Sequence, residues 1–142
     1  MHVSKSIIVP FTAQKMYVLV NDIDNYPTFL PWCSATEIHS RSSTALEATI
    51  YVNKGPVSYT ITTQNTMREN ELIDMQYKTG PFKYCFGSWQ FKPQQQDFCE
   101  IIFNIEYEFK NKLLAIGLEP FFKPIADTLI EAFYQRAQQV YV

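Results

Sequence analysis

The chain has 142 residues, 46% hydrophobic, 18% charged and 15% aromatic, with a formal net charge of −2. That length suits one domain able to bury roughly two-thirds of its unfolded surface, and the composition excludes a disordered chain. The acidic balance and scattered lysines exclude a DNA-binding protein or a general nucleic-acid binder, which would need a basic surface. Residues His2 to Pro10 read as a β-rich opening strand, with Val3, Ile7, Ile8 and Val9 ended by proline. Thr12 is an N-cap for a helix from Ala13 to about Asp22, with Met16, Tyr17, Leu19 and Val20 as its apolar stripe. The stiff segment Tyr26-Pro27-Thr28-Phe29-Leu30-Pro31-Trp32-Cys33 follows, with room for one helical turn. Turns usually run over the surface and are polar. This one is almost wholly apolar, so it must pack under something or line an opening.

From Ser34 the period changes to two. Leu46, Ala48, Ile50 and Val52 alternate with polar neighbours, as do Val57, Tyr59, Ile61 and Thr63 beyond Gly55-Pro56. A turn at Glu69-Asn70-Glu71 leads to Ile73, Met75 and Tyr77. Beyond Gly80-Pro81 come Gly87, Trp89 and Phe91, then Pro93 and a glutamine-rich loop. Cys99, Ile101, Phe103, Ile105, Tyr107 and Phe109 share one face of the last strand. The C-terminal third is helical. Pro120 and Pro124 are expected to kink or split its start, and Ile125, Leu129, Ala132, Phe133, Arg136 and Val140 form its stripe.

One early helix, about six further antiparallel strands and a long terminal helix make an α+β chain. Its economical solution is a curved antiparallel sheet wrapped around the C-terminal helix. The inner face then collects Leu46, Ala48, Ile50, Val52, Val57, Tyr59, Ile61, Ile73, Met75, Tyr77, Trp89, Phe91, Ile101, Phe103, Ile105 and Tyr107. It holds no Asp, Glu, His or Lys, so general acid–base chemistry has no group there to use. These side chains would serve equally as an ordinary core or as the wall of a ligand cavity of roughly 300–1,000 Å³. The apolar breaks in regular structure, Phe29, Leu30 and Trp32, Pro81-Phe82, and Phe121-Phe122, are the expected surrounds of an entrance. Phe82 in particular is weighed as the aromatic tip of a lid against a plain hairpin. Phe121-Phe122 is weighed as a gating hinge against helix-start packing.

No other candidate chemistry survives. His2 and His39 lie in separate segments, and no metal site is expected. Asp22 and Asp24 fit capping and turn roles. Cys33, Cys85 and Cys99 are odd in number and form no CxxC, so free buried thiols are the plain reading. No apolar run reaches a membrane span and no leader is visible, which places the chain in the cytoplasm.

Several spaced motifs, in order, carry a resemblance. They are Met16-Tyr17 with Leu19-Val20, Tyr26-Pro27 with Phe29 to Cys33, Gly80-Pro81-Phe82 with Gly87 and Trp89, and Ala132-Phe133, Arg136-Ala137 and Val140-Tyr141. Together they resemble the START-like, or polyketide-cyclase-like, proteins, which include mitochondrial ubiquinone-binding proteins and bacterial ribosome association toxins. One departure is Val142, where relatives tend to have glycine and further residues. The resemblance covers nearly the whole chain and implies one START-like domain over 1–142 with the helix-grip fold of START and Bet v 1-like proteins. It implies a hydrophobic ligand such as ubiquinone or a related isoprenoid and no catalytic motif. Phe91, Phe103 and Ile105 on the sheet and Ile125, Leu129 and Phe133 on the helix would complete the cavity.

Three functions stay open. A non-enzymatic quinone or lipid carrier or chaperone supporting respiratory electron transport fits the interior best and is the preferred expectation, with transient contact at the inner membrane. The second is a toxin that binds the large ribosomal subunit and blocks its joining to the small one, with Lys78, Lys83, Lys110, Lys112 and Lys123 as its most plausible contacts. The third, a polyketide cyclase or aromatase, lacks an inner acid or base.

Overall fold

Period-two alternation from Cys33 to Phe109 builds the meander that dominates the chain. The structure, a computed structural model, describes residues 1–141, and Val142 lies outside them. The strands are β1 (His2–Val9), β2 (Cys33–Arg41), β3 (Ala45–Lys54), β4 (Val57–Arg68), β5 (Leu72–Thr79), β6 (Phe82–Pro93) and β7 (Cys99–Phe109). They form one antiparallel seven-stranded sheet in the order β1-β7-β6-β5-β4-β3-β2, so the N-terminal strand completes the far edge beside β7. The helices are α1 (Ala13–Asn21), the one-turn α2 (Tyr26–Phe29) and α3 (Lys112–Val140). This is the α+β helix-grip arrangement, with α3 on the concave face of the sheet.

Local chemistry sets the helix ends. Thr12 caps α1, its side chain accepting from Lys15 N at 3.2 Å, and Asn111 caps α3 by accepting from Leu114 N at 2.9 Å. The Tyr26 hydroxyl, fully buried, donates to the Val20 carbonyl and pins α2 to the end of α1. The Trp32 carbonyl accepts from Asn53 N at 2.8 Å, which ties the proline-rich segment to β3.

The expected break in the terminal helix is absent: α3 runs unbroken for 29 residues through Pro120 and Pro124. The prolines are four apart and both are exposed, so the carbonyls they leave without a helical donor, those of Ile116 and Pro120, lie on the outer face where water can reach them. No helix among the described residues is long and apolar enough to cross a membrane.

Two buried clusters hold α3 to the sheet. Near its C-terminal end Phe133, fully buried, meets the rings of Tyr26 at 5.3 Å, Phe29 at 5.4 Å and Trp89 at 5.3 Å between centroids. Trp89 in turn lies 4.4 Å from Phe103. Near the N-terminal end Phe122 packs among Phe82 at 5.1 Å, Tyr107 at 4.6 Å and Phe109 at 6.1 Å. Gly87 opposes Met75 on one side and Ile105 on the other. A Cβ built there would stand 2.3 Å from the Asn104 carbonyl oxygen, so the two backbones approach closely at this point.

Two stability tests follow from this packing. Phe133→Ala should lower unfolding free energy by about 3–5 kcal/mol in chemical denaturation, whereas Leu129→Ala should fall near the lower bound for such truncations, about 2 kcal/mol, because Leu129 borders empty space. Gly87→Ala should destabilise by about 1–3 kcal/mol, since the obstacle is backbone and cannot swing aside. An unchanged denaturation midpoint for Gly87→Ala would show that the strands are not held together so closely at that residue.

Candidate functional site

Between the two clusters the concave sheet and α3 enclose a cavity of about 130 Å³. It is smaller than the few hundred Å³ expected, because large rings enter from both walls: Tyr59, Tyr77, Trp89 and Phe103 from the sheet and Phe122 from the helix. Of the side chains named from sequence, Trp32, Ile50, Tyr59, Ile61, Met75, Tyr77, Trp89, Phe103, Ile105, Phe122, Ile125 and Leu129 border it.

The others do not, and each has a packing reason. Phe29 lies against Phe133 with the Arg136 guanidinium 5.1 Å above its ring, and Leu30 is 1% exposed within the larger core. Leu46, Phe91 and Phe133 are closed off in that same core. Phe82 is no lid: a buried first residue of β6, it stacks on Phe109 at 4.9 Å beneath the Gly80-Pro81 hairpin. Phe121 turns away from Phe122 and covers Gly55, where a Cβ would meet its ring at 2.9 Å. The three apolar breaks therefore do not gather around one mouth. The first packs on the C-terminal half of α3 and the others on its N-terminal half, and only Trp32 and Phe122 of these segments reach the cavity.

The cavity also takes in residues outside that set: Ile23, Tyr26, Val52, Thr63, Asn65, Cys85, Phe86, Gly87 and Ala126. Thr63 and Asn65 continue the inner alternation of Tyr59 and Ile61, so simple counting along β4 finds them. Cys85 is displaced by a bulge between Phe82 and Tyr84 that shifts the phase of β6; counting back from Trp89 recovers it.

Among the described residues, no Asp, Glu, His, Lys or Arg borders the cavity. Burial pushes the Cys85 thiol up to about 12 and raises the Tyr59 hydroxyl above its ordinary value. Tyr77 is also raised by burial, and its hydroxyl accepts from Phe82 N at 3.1 Å. Cys33 and Cys99 are each pushed by burial to about 11. All these groups keep their protons near neutrality, so the wall can hydrogen-bond but offers no base. Glu119 accepts from the Tyr107 hydroxyl at 3.0 Å, outside the cavity.

Elsewhere several polar groups have structural partners, while Asn21 Oδ1, Asn70 Oδ1 and Glu119 Oε2 are buried without one among the described residues. His39 Nε2 lies 2.7 Å from Thr49 Oγ1, Asp24 pairs with Arg41 at 3.1 Å, and Asp22 accepts from the Asn25 amide. Lys78 pairs with Glu47 at 2.7 Å, Lys83 with Glu108 at 3.5 Å and Lys123 with Asp127 at 2.9 Å. No group of three or more potential metal-binding side chains comes together among the described residues.

Comparison with known proteins fits this geometry. The sequence pattern of the family described as polyketide cyclase / dehydrase and lipid transport matches residues 9–134. The persistence and stress-resistance toxin PasT of Escherichia coli O6:H1 is 40% identical, over 98% of this chain and 88% of its own length. Ribosome association toxin RatA of Escherichia coli K12 is 39% identical over the same shares. The mitochondrial coenzyme Q-binding protein COQ10 of Drosophila melanogaster is 31% identical, over 96% of this chain and 58% of its own length. Among solved structures, the Zhui aromatase/cyclase of Streptomyces sp. R1128 matches with a TM-score of 0.88 over 100% of this chain and 96% of that one. At 13% identity that is a likeness of fold alone. An apolar cavity gripped between a bent sheet and one long helix, and a family pattern spanning most of the sequence, lead to one assignment: the chain belongs to the START-like family of polyketide cyclases/dehydrases and lipid-transport proteins.

Proposed function

We propose that this chain is a non-enzymatic protein that associates with the ribosome, in the manner named for its RatA relatives. The support is similarity: 39% identity to RatA over 98% of the chain, against 31% to COQ10 over 96%. This reverses the order preferred from sequence, where the acidic balance weighed against ribosome binding. The net charge of −2 is a poor guide here because it averages over the whole surface. Three of the five lysines named as contacts, Lys78, Lys83 and Lys123, are occupied by carboxylates. Lys110 and Lys112 at the start of α3 are exposed, and no carboxylate pairs with them among the described residues. They are the side chains we assign to ribosomal RNA.

A second role, binding of an apolar ligand such as a quinone or another isoprenoid, is supported by the cavity itself, whose wall is free of charge among the described residues. The roles do not compete, since one uses the outer surface and the other the interior. Transient contact with the inner membrane belongs to this second role, as the way an apolar ligand would be taken up or released. A cyclase reading finds no support in a wall without an available base.

Sedimentation with large ribosomal subunits over a salt series tests the first role. Binding should be present at low salt and weaken steeply as salt rises. Lys110→Glu with Lys112→Glu should weaken it and flatten the logarithmic salt slope by about one to two. Absence of subunit binding at low salt would sink the ribosomal reading. The second role is tested by Leu129→Trp, which fills the cavity. Lipid extracted with the purified protein should disappear, and subunit binding should stay within about twofold, because filling an apolar site leaves surface charge untouched. Retention of the same lipid by the filled variant would place the ligand elsewhere.

A further inference from the structure

We infer that Asn65 is the head-group recognition residue of the cavity, and that the ligand is an elongated neutral molecule carrying a carbonyl or hydroxyl oxygen at the end that meets it. The inference rests on the reading of the cavity as an apolar-ligand site. Asn65 is 4% exposed, borders the cavity, and its Oδ1 has no hydrogen-bond partner among the described residues. In the sheet its register neighbours are Leu46 and Met75, and neither offers an amide partner. A buried amide oxygen left without a donor is unfavourable. A ligand O–H donating to Oδ1 or, after a half-turn of the amide, a ligand carbonyl accepting from Nδ2 is the partner the fold itself does not supply.

The rest of the wall defines the ligand. No charged side chain borders the cavity among the described residues, so an ionised carboxylate, phosphate or ammonium would be buried without a counter-charge. The head is therefore neutral. Asn65 presents both an acceptor and donors, and a half-turn of its amide exchanges them. It can serve a ring carbonyl or a ring hydroxyl, hence the oxidised and reduced forms of one compound. Along β4 the inner face runs from Asn65 through Ile61 to Tyr59, about 20 Å at the usual rise per residue. Between these ends Ile50 and Ile61 pair across the sheet and, with Leu129 on the helix, give an apolar passage for a hydrocarbon tail, while Met75 and Ile105 stand level with Asn65. The Tyr59 hydroxyl, at the far end, also lacks a partner among the described residues and is the alternative station for the head.

The probes are a decyl-substituted benzoquinone and decylbenzene, which share the chain and differ in ring oxygens. Both are titrated against the full chain in competition with a fluorescent apolar dye. The wild type should favour the quinone. Asn65→Leu should weaken quinone binding about tenfold, leave decylbenzene within about twofold, and hold or raise the thermal midpoint of the ligand-free protein. Tyr59→Phe tests the alternative station and should weaken quinone binding clearly less than Asn65→Leu does. Asn65→Ala is the companion variant should Asn65→Leu be poorly folded, with the same expected split between probes. Equal losses for both probes, no loss for either, or a loss appearing in Tyr59→Phe instead would overturn the assignment to Asn65 while leaving the cavity a ligand site. A ligand-free midpoint that falls steeply in both Asn65 variants would also overturn it, by making the amide structural. Failure of the wild type to bind either probe would overturn the ligand reading, and the assignment with it.

Discussion

The packing of Tyr26, Phe29 and Trp89 on the fully buried Phe133 ring is the constraint on which the rest of this fold depends. It joins three distant parts of the chain: the proline-rich segment, the sixth strand and the last turns of the long helix. The second anchor, Phe122, is three helical turns away, about 16 Å along the axis. With α3 held at two points, the stretch around Ile125 and Leu129 borders the cavity. The cavity is the space those two anchors leave over. Its contents are thus decided by packing at its ends as much as by the residues that face it.

This view explains what was legible in the sequence. The inner and outer faces of the sheet follow from alternation, because a one-residue slip would turn every buried side chain outward. The cap at Thr12, a short local contact, was read from the sequence, whereas the cap of the same kind at Asn111 was not. The division of the aromatics into core and cavity wall was not legible. Phe91 and Tyr77 both follow the inner pattern, yet one is closed off in the core and the other borders the cavity. That distinction depends on how far α3 stands from each strand, a tertiary distance with no local signature. Helix continuity through Pro120 and Pro124 was missed for a related reason. Proline chemistry predicts a lost hydrogen bond, but the severity of the break depends on whether the freed carbonyls face solvent, and here they do.

Asn65 shows a different kind of oversight. Its position was readable from the period of β4, but attention to charged and nucleophilic residues passes over a neutral amide. Inside an apolar wall such an amide is more informative than an aspartate on the surface, because its unmade hydrogen bonds have no solvent to fall back on. The lysines illustrate the converse. Their number and scatter suggested no nucleic-acid footprint, whereas in the folded chain, of the five lysines named as contacts, Lys78, Lys83 and Lys123 pair with Glu47, Glu108 and Asp127 and Lys110 and Lys112 stay exposed at the start of α3.

The same scaffold carries an aromatase/cyclase fold neighbour and relatives named for ribosomes and for coenzyme Q, so fold alone does not choose among chemistries. The choice lies in what the interior can do with a proton. A cyclisation needs a group that takes one up near neutrality. Here Cys85, Tyr59 and Tyr77 all bind their protons more tightly than free side chains, with burial the leading cause in each case. The burial that makes the interior welcoming to hydrocarbon is therefore what removes its capacity for base catalysis. A wall of this kind can hydrogen-bond a neutral oxygen without taking up its proton, which is what supports the binding role proposed for it.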